Sequence, residues 1–295
     1  MHVIISGASG LIGTELGKSL RADGHTVVAL VRRDTRNEHE SSWDPATGRI
    51  DDSAIAAADV VVNLAGASIG DKRLTGSYQK VVLSSRVNST STIAAAIARA
   101  RPTAVLLQGS SMGFYGDRGA EALTEDLPPG DGFLADVSRK WEASAAPAVD
   151  AGARVVYLRT GLVLAPHGGF AKRLLPLASR GLIGSLGNPR ALQSWISLVD
   201  EVRAMRFLID SAHAGPANLV GPSAVSSAGL ASAIAGAYGR SAGIPVPSWV
   251  LKAAVGPAAD DLLSSQNGVP GVLSRLGFTW THATIADAAA YVAQR

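Results

Sequence analysis

The run V-I-I-S-G-A-S-G-L-I-G at Val3–Gly13 constrains the fold of this chain more than any other stretch. A β-branched segment leads directly into three glycines, and an apolar-periodic segment, Leu11–Leu20, follows at once. Strand, tight turn and helix in this order form the context that a dinucleotide-binding loop requires. Glycines permit the turn, the close approach of a pyrophosphate and close packing of the helix on the strand.

A loop of this kind places phosphates on the N-terminus of the following helix, where free N–H groups and the helix dipole favour negative charge. An ordinary glycine-rich turn is the alternative interpretation of the same residues. The residues that we predict to bind the cofactor here are Gly7, Ser9, Gly10, Leu11, Ile12 and Gly13.

Apolar strands and helices alternate through the first half of the chain. The pattern predicts strands at Val3–Ser6, Thr26–Val31, Val60–Leu64, Ala104–Ser110 and Val155–Arg159, and helices at Leu11–Ala22, Tyr78–Arg99 and most of Phe133–Gly152. Short apolar strands between helices are typical of a parallel sheet that is covered on both faces. We therefore predict an α/β fold with a doubly wound, Rossmann-like parallel sheet and a ligand at the carboxyl ends of its strands.

The chain changes character after its fifth predicted strand. A Gly- and Pro-rich region contains a short helical stretch at Phe170–Ser179, a capped helix follows at Ser197–Ala212, and Ala217–Val220 can return to the sheet as a strand. We predict a dinucleotide-binding, Rossmann-like domain at residues 1–164. A smaller, mostly helical substrate-side region at 165–295 follows, of which 195–221 return to the first domain.

Composition excludes several classes of protein. The chain has 295 residues and no cysteine, which excludes disulfides, cysteine-based zinc sites and thiol nucleophiles. Its net charge is +3 without a dense basic run, its six histidines lack the spacing of a metal site, and no apolar run is long enough to span a bilayer. We expect a cytoplasmic monomer or homodimer that acts on an unidentified small molecule and binds neither nucleic acid, membrane nor metal.

The second predicted strand ends in Val31, Arg32 and Arg33. A fold that prefers NAD usually places Asp or Glu here to bind the ribose hydroxyls, whereas an arginine suits a 2′-phosphate. The guanidinium group offers a fork of donors that matches phosphate oxygens. These residues therefore predict NADP(H), with a pair of merely exposed arginines as the alternative.

Other candidate residues follow the third and fourth predicted strands. The turn that contains Leu64 and Ala65 has small residues, which would let the adenine and ribose lie against its backbone. Arg86 on the following helix can reach the cofactor or its pocket. Ser111 and Tyr115 follow the fourth strand, where a hydroxyl can polarise a carbonyl or donate a proton. The alternatives are an ordinary strand-to-loop turn for Leu64 and Ala65, an exposed helical arginine for Arg86, and turn formation or core packing for Ser111 and Tyr115.

Further motifs run in order along essentially the whole chain, namely Trp43-Asp44-Pro45, Asp71-Lys72-Arg73, Ser85-Arg86-Val87, Tyr115-Gly116-Asp117, Leu158–Leu164, Gly168-Gly169, Trp195-Ile196, Asn218-Leu219-Val220 and Gly277-Phe278. With the glycine loop, they resemble the extended short-chain dehydrogenase/reductase superfamily. Within it, the match is to the atypical epimerase-family subgroup of the NAD-dependent epimerase/dehydratase group. The resemblance implies an NADP(H)-binding Rossmann-like domain and a C-terminal domain over the active-site cleft. It implies that Val31, Arg32, Leu64, Ala65 and Arg86 line the cofactor.

The chain departs from the superfamily's usual catalytic pair, Tyr-x-x-x-Lys. None of its tyrosines has a lysine four residues later, and the expected stretch places Leu134 and Ser138, or Asp136 and Lys140, at the two positions. We therefore predict an NADP(H)-binding oxidoreductase or epimerase-like enzyme with another proton relay, for which Ser111 and Tyr115 are the candidates. The alternative is an NADP(H)-responsive binding or regulatory protein with little or no turnover.

Overall fold

The computed structural model describes residues 1–69, 72–169, 171–247, 249 and 263–294. Its strands are β1 (His2–Ser6), β2 (Thr26–Val31), β3 (Glu40–Ser42), β4 (Val60–Asn63), β5 (Val105–Ser111), β6 (Ala122–Leu123), β7 (Val155–Thr160), β8 (Leu162–Leu164), β9 (Leu192–Gln193), β10 (Trp195–Ser197), β11 (Gly215–Leu219), β12 (Val225–Ser226) and β13 (Asn267–Gly268). Its helices are α1 (Leu11–Ala22), α2 (Asp52–Ala56), α3 (Gly76–Ala100), α4 (Phe133–Ala143), α5 (Ala146–Asp150), α6 (Ala171–Ala178), α7 (Leu198–Asp210), α8 (Ser227–Gly236), α9 (Gly271–Arg275) and α10 (Ile285–Ala293). A 3₁₀ turn spans Met112–Tyr115.

A parallel sheet of seven strands forms the centre, in the order β11-β7-β5-β4-β1-β2-β3. The order reverses beside β1, because the chain passes from β1 to β2 on one side and to β4 on the other. Ligands of doubly wound sheets bind at such a switch point, outside the carboxyl ends of the strands. The predicted Rossmann-like fold is confirmed.

Helices cover both faces of the sheet, as continuous apolar strands require. On one face Leu16 of α1 and Met205 of α7 join a core with Ile5 of β1. On the other face Ile55 of α2 and Ile97 of α3 join a second core. Because side chains alternate along a strand, β1, β2, β4, β5 and β7 each supply residues to both cores and are packed on both faces.

Two local predictions differ from the observed elements. The helical stretch predicted at Phe133–Gly152 divides into α4 and α5, and Pro147 lies in the first turn of α5, where its missing N–H costs no helical hydrogen bond. The edge strand β3 has no counterpart among the predicted strands. Phe170, the first residue of another predicted helical stretch, lies outside the described residues.

The C-terminal region is attached to the sheet domain through α7. Asp200 of α7 is fully buried and accepts the backbone N–H groups of Thr281 and His282, both at 2.8 Å. The indole of Trp280 donates to the carbonyl oxygen of Val220 at 3.0 Å, just after β11. In the described ranges no helix combines the length and apolar character of a membrane span.

Candidate cofactor and active site

Each glycine of the loop between β1 and α1 has its own steric requirement. Gly7 has a φ of +71°, and a Cβ there would lie 2.7 Å from the carbonyl oxygen of Leu64 after β4. A Cβ on Gly13 would overlap the Gly7 carbonyl oxygen, so α1 packs directly on the loop. Gly10 is exposed, and its Cβ would approach one described atom, the Gly7 oxygen, at 3.2 Å. The space in front of Gly10 is therefore open.

The N-terminus of α1 is open in the same direction. Gly10 is the N-cap, no side chain caps the helix, and no acidic residue lies in its first turn. The N–H groups of Leu11, Ile12 and Gly13 therefore lack intrahelical partners, as in any first turn. Ser9 beside them is exposed. Free N–H groups and the positive end of the helix dipole make this end suitable for an anion.

The two arginines after β2 have different surroundings. Both terminal nitrogens of Arg33 donate to the Glu40 carboxylate, at 2.6 and 2.8 Å, and this pairing lowers the pKa of Glu40 to about 2. Arg32 is exposed and makes no hydrogen bond or ion pair with any described residue. Val31 before them is half-buried. Arg32 can therefore contact a ligand without breaking a bond to any described residue, whereas Arg33 must first break its hydrogen bonds to Glu40.

A buried amide fixes the end of β4. The Oδ1 atom of Asn63 accepts the Ser6 hydroxyl at 2.5 Å and the Ala65 N–H at 3.3 Å, and its Nδ2 donates to Gln108 at 3.0 Å. Asn63 is fully buried, so these bonds tie three neighbouring strands together below the strand ends. They also fix the backbone of Leu64 and Ala65 beside the glycine loop. The sequence signal for this role is an amide at the end of an otherwise apolar strand.

Arg86 of α3 is a largely buried cation without a carboxylate partner among the described residues. Its Nη1 atom donates to the carbonyl oxygens of Ala67 and Val82, at 2.9 and 3.1 Å, and its guanidinium lies 4.9 Å from the Trp141 ring centre. Burial lowers the pKa of Arg86 to about 10. A Cβ on Gly66 would lie 3.1 Å from the guanidinium carbon, so the loop after β4 rests on this side chain.

Ser111 ends β5 at the same edge of the sheet. Its Oγ accepts the Gly113 N–H at 3.0 Å, and its own hydroxyl proton has no acceptor in the described part of the chain. The residue is half-buried. A hydroxyl with a free proton at a strand end can donate to a bound ligand.

Tyr115 lies in a buried network instead of facing the strand ends. Its side chain is fully buried, its hydroxyl donates to Asn218 Oδ1 at 2.8 Å, and it accepts a hydrogen bond from Arg159 at 2.8 Å. Arg159 in turn pairs with Glu142, with the two charge-assisted bonds at 2.9 and 3.0 Å. Burial raises the pKa of the Tyr115 phenol. This placement argues against the predicted role of Tyr115 as a proton donor to a substrate.

Helix α4 carries the stretch in which the usual Tyr and Lys were expected. Asp136 and Lys140 form an exposed ion pair at 2.7 Å. Ser138 is buried, and the Leu134 side chain packs against Gly113. Neither alignment of the stretch places a phenol or an ammonium at the strand ends.

Sequence reasoning assigned no site role to Thr160, which lies beside Ser111, or to Glu201, which is bonded to Thr160. Thr160, the last residue of β7, is the Cα partner of Ser111 across the two strands. Its hydroxyl donates to Glu201 of α7 at 2.9 Å. In the sequence, Glu201 signals only an acidic first helical turn after Ser197, which does not show that the residue is buried.

The predicted residues thus divide into those at the carboxyl edge of the sheet and those elsewhere. The glycine loop, the N-terminus of α1, the Leu64–Ala65 backbone and Arg32 follow the adjacent strands β4, β1 and β2, and Ser111 ends the next strand, β5. Arg33 is paired with Glu40, and Tyr115 lies in the interior. A cofactor along this edge would have an anion site at α1 and a free cation at Arg32.

Comparison with known families agrees with this geometry. The model of the NAD dependent epimerase/dehydratase family matches residues 3–220. The chain belongs to this family. A second model, a domain of unknown function called DUF1731, matches residues 246–292. The family assignment made from the sequence motifs is therefore confirmed.

The similarity to individual relatives covers almost the whole chain. The epimerase family protein Mb2239 of Mycobacterium bovis is 42% identical over 99% of this chain and 98% of its own length. A crystal structure of the human epimerase family protein SDR39U1 with NADPH has a TM-score of 0.90 and 30% identity, covering 99% of both chains. The nucleoside-diphosphate sugar epimerase of Corynebacterium glutamicum has a TM-score of 0.81 and 33% identity, covering 99% of this chain and 57% of that one.

Proposed function

We propose that this family member binds NADP(H) along the carboxyl edge of its sheet and uses it in an oxidoreductase or epimerase-type reaction on a small molecule. The observation that carries the proposal is the combination of an α1 N-terminus without a side-chain cap and an Arg32 that has no partner among the described residues, at the end of the adjacent strand. One can take a pyrophosphate and the other a 2′-phosphate. The human relative crystallised with NADPH supports this choice of cofactor.

The residues present fit the cofactor. Gly10 leaves a space that its own Cβ would begin to fill, in front of N–H groups that need acceptors. We assign Gly7, Ser9, Gly10, Leu11, Ile12 and Gly13 to the pyrophosphate, Val31 and Arg32 to the ribose phosphate, and Leu64 and Ala65 to the adenosine. Arg33 takes a secondary place, because its guanidinium is held by Glu40. When bound, NADP(H) supplies or accepts a hydride at its nicotinamide ring.

Arg86 supports the loop that we assign to the adenosine part of the cofactor. Its guanidinium supports the loop that carries Leu64 and Ala65, through the Ala67 carbonyl and the contact at Gly66. It also places a positive charge, with no carboxylate partner among the described residues, beneath the strand ends. We assign to Arg86 the orientation of this loop and a long-range attraction for the cofactor's phosphates.

The Ser111 hydroxyl is the group that we assign to the substrate oxygen, because its proton has no acceptor among the described residues. For Tyr115 we infer a structural role, in which its buried network holds the turn after Ser111 in place. A small-molecule substrate, a cytoplasmic location, a monomeric or homodimeric state and the division at residues 164–165 stay predictions.

Calorimetric titration with NADPH tests the binding site, in wild type and in Gly10→Val. Wild type should bind and Gly10→Val should not, although its circular dichroism spectrum should be unchanged, because the added side chain occupies the phosphate space. Undiminished affinity in a folded Gly10→Val variant would contradict the assigned phosphate site.

A panel of carbonyl substrates with NADPH then separates the two candidate functions. Turnover supports the enzyme, and tight binding with no turnover on any member supports the regulatory alternative.

A further inference from the structure

Glu201 is a carboxyl group sealed inside the protein next to the candidate site. Its side chain is fully buried. Its Oε1 atom accepts the Thr160 hydroxyl at 2.9 Å, and its Oε2 atom has no hydrogen-bond partner among the described residues. An ionised carboxylate with one oxygen unsatisfied in an apolar interior is costly, so this environment favours the neutral acid.

The charges around Glu201 do not oppose this conclusion. Burial raises the pKa of Glu201 to about 8, and the hydrogen bond from Thr160 opposes this shift. The neighbouring Asp200 is turned toward Ser197, Arg203 and the backbone at residues 281–282. On the side of α1, Arg206 pairs with Asp23, and His282 of the C-terminal region contacts Ser197. At neutral pH the acid form therefore dominates.

Protonation reverses the hydrogen bond between Glu201 and Thr160. With Glu201 ionised, the Thr160 hydroxyl must donate to it, and the threonine has no further proton to offer. With Glu201 neutral, the acid proton donates to the Thr160 oxygen, and the threonine's own proton is released from Glu201. The acceptor that then remains for this proton among the described residues is the Leu158 carbonyl oxygen, at the long distance of 3.4 Å. The threonine lies at the end of β7, half-buried, with Ser111 as its Cα partner. A ligand oxygen at this edge would therefore compete with the Leu158 oxygen for the released proton.

We propose that Glu201 and Thr160 form a proton relay that serves a ligand oxygen at the carboxyl edge of the sheet. In each delivery the Thr160 O–H bond breaks as a new O–H bond forms on the ligand oxygen. The Glu201 proton moves to the Thr160 oxygen, and Glu201 is left as a carboxylate until a proton returns to it through the half-buried Thr160 hydroxyl. The inference rests on the proposed function, which supplies the ligand. Thr160 is the residue that contacts the ligand, and Glu201 acts through it as a positioning acid.

The first test needs neither cofactor nor turnover. Infrared difference spectra between wild type and Glu201→Gln, recorded as the pH is raised, should show a protonated carboxyl band at pH 7 that disappears as the pH passes about 8. In Thr160→Val the same band should move to higher frequency, because the acid loses its acceptor. The exposed Glu121, paired with Arg118, gives the control Glu121→Gln, which should remove no protonated band at pH 7. A carboxylate at position 201 at pH 7, or a band unmoved in Thr160→Val, would overturn the relay.

The second test uses NADPH oxidation across a carbonyl panel. Wild-type turnover should fall as the pH rises through about 8, because the donor loses its proton. Glu201→Gln and Thr160→Val should lower turnover about 10²–10⁴-fold and flatten that limb, with NADPH affinity unchanged. Undiminished turnover with the same pH limb in Glu201→Gln would overturn the relay alone. Wild type that binds NADPH but turns over no panel member would also overturn it, whereas wild type without NADPH affinity would refute the proposed function and the relay together.

Discussion

The replacement of Arg32 by alanine is the perturbation that best separates the proposed cofactor from its alternative. Arg32 has no partner among the described residues, so its removal breaks no internal interaction and should leave the fold intact. A hydrogen bond between a guanidinium and a phosphate contributes about 1.5–3 kcal/mol. At ~1.4 kcal/mol per tenfold change, the Kd for NADPH should rise roughly 10- to 100-fold. The Kd for NADH, which lacks the 2′-phosphate, should not change.

Arg33→Ala provides the matched control, one residue away in the same loop. Arg33 is held by two hydrogen bonds to Glu40, at 2.6 and 2.8 Å, so it is not free to contact the cofactor. Its removal should change the Kd for NADPH by no more than about twofold, as for a surface substitution outside the site. The preference for NADPH over NADH in wild type should also weaken as salt is added, since an exposed ion pair is screened.

Isothermal titration calorimetry with both cofactors on the three proteins measures all of these quantities. Equal affinity of wild type for NADPH and NADH would refute the assignment of a 2′-phosphate to Arg32. So would an Arg32→Ala variant that loses the same factor for both cofactors, because that loss could not come from the 2′-phosphate. A larger loss in Arg33→Ala than in Arg32→Ala would mean that the Glu40 pair opens on binding.

Three further predictions concern other parts of the molecule. Gly13→Ala should lower the thermal unfolding midpoint, because its Cβ overlaps the Gly7 carbonyl oxygen, whereas Gly10→Val should leave it nearly unchanged; equal midpoints by circular dichroism would contradict the packing. The free energy of unfolding of wild type in urea should fall as the pH rises from 5 to 8. The reason is that the folded state retains a proton on Glu201, which the unfolded state releases above the ordinary pKa of a glutamate. Glu201→Gln should flatten this dependence of stability on pH. A slope equal in both proteins would show that Glu201 is ionised in the fold. Tyr115→Phe should lower the free energy of unfolding in urea by about 1–3 kcal/mol, because Asn218 and Arg159 lose a buried partner. The affinity for NADPH should not change. A loss of turnover at full stability would instead support Tyr115 as a proton donor.

The sheet and the glycine loop could be predicted because their signals are local. The strands β1, β2, β4, β5 and β7 each contain a run of at least three apolar residues, and the loop's glycines follow β1 directly in sequence. The strand β3, Glu40–Ser42, carries no such signal, because its three polar residues become a strand only by pairing with β2. Tertiary context decided this element, and no periodicity of its own could have revealed it.

Residues of the candidate site could be predicted only where their role follows from their position at the end of a strand. Arg32 and Arg33 are equivalent in the sequence, and the Glu40 carboxylate distinguishes them in the fold. Tyr115 follows a strand that ends at the site, but its partners Arg159 and Asn218 lie 44 and 103 residues further along the chain. These partners draw its hydroxyl into the interior. Long-range pairing of this kind leaves no trace in local spacing.

Helix α4 explains why proton chemistry in this protein should depend on strand ends instead of on a Tyr–Lys pair. Glu142 of α4 is directed inward, where it accepts the Ser110 hydroxyl at 2.5 Å and binds the Arg159 guanidinium. Trp141 packs so closely on Gly109 of β5 that a Cβ there would lie 2.9 Å from the indole. The part of the helix that meets β5 is thus occupied by a buried ion pair and an indole, which hold the strand ends in place. With those positions committed to structure, the proposed proton chemistry uses hydroxyls at the strand ends themselves, Ser111 on β5 and Thr160 on β7.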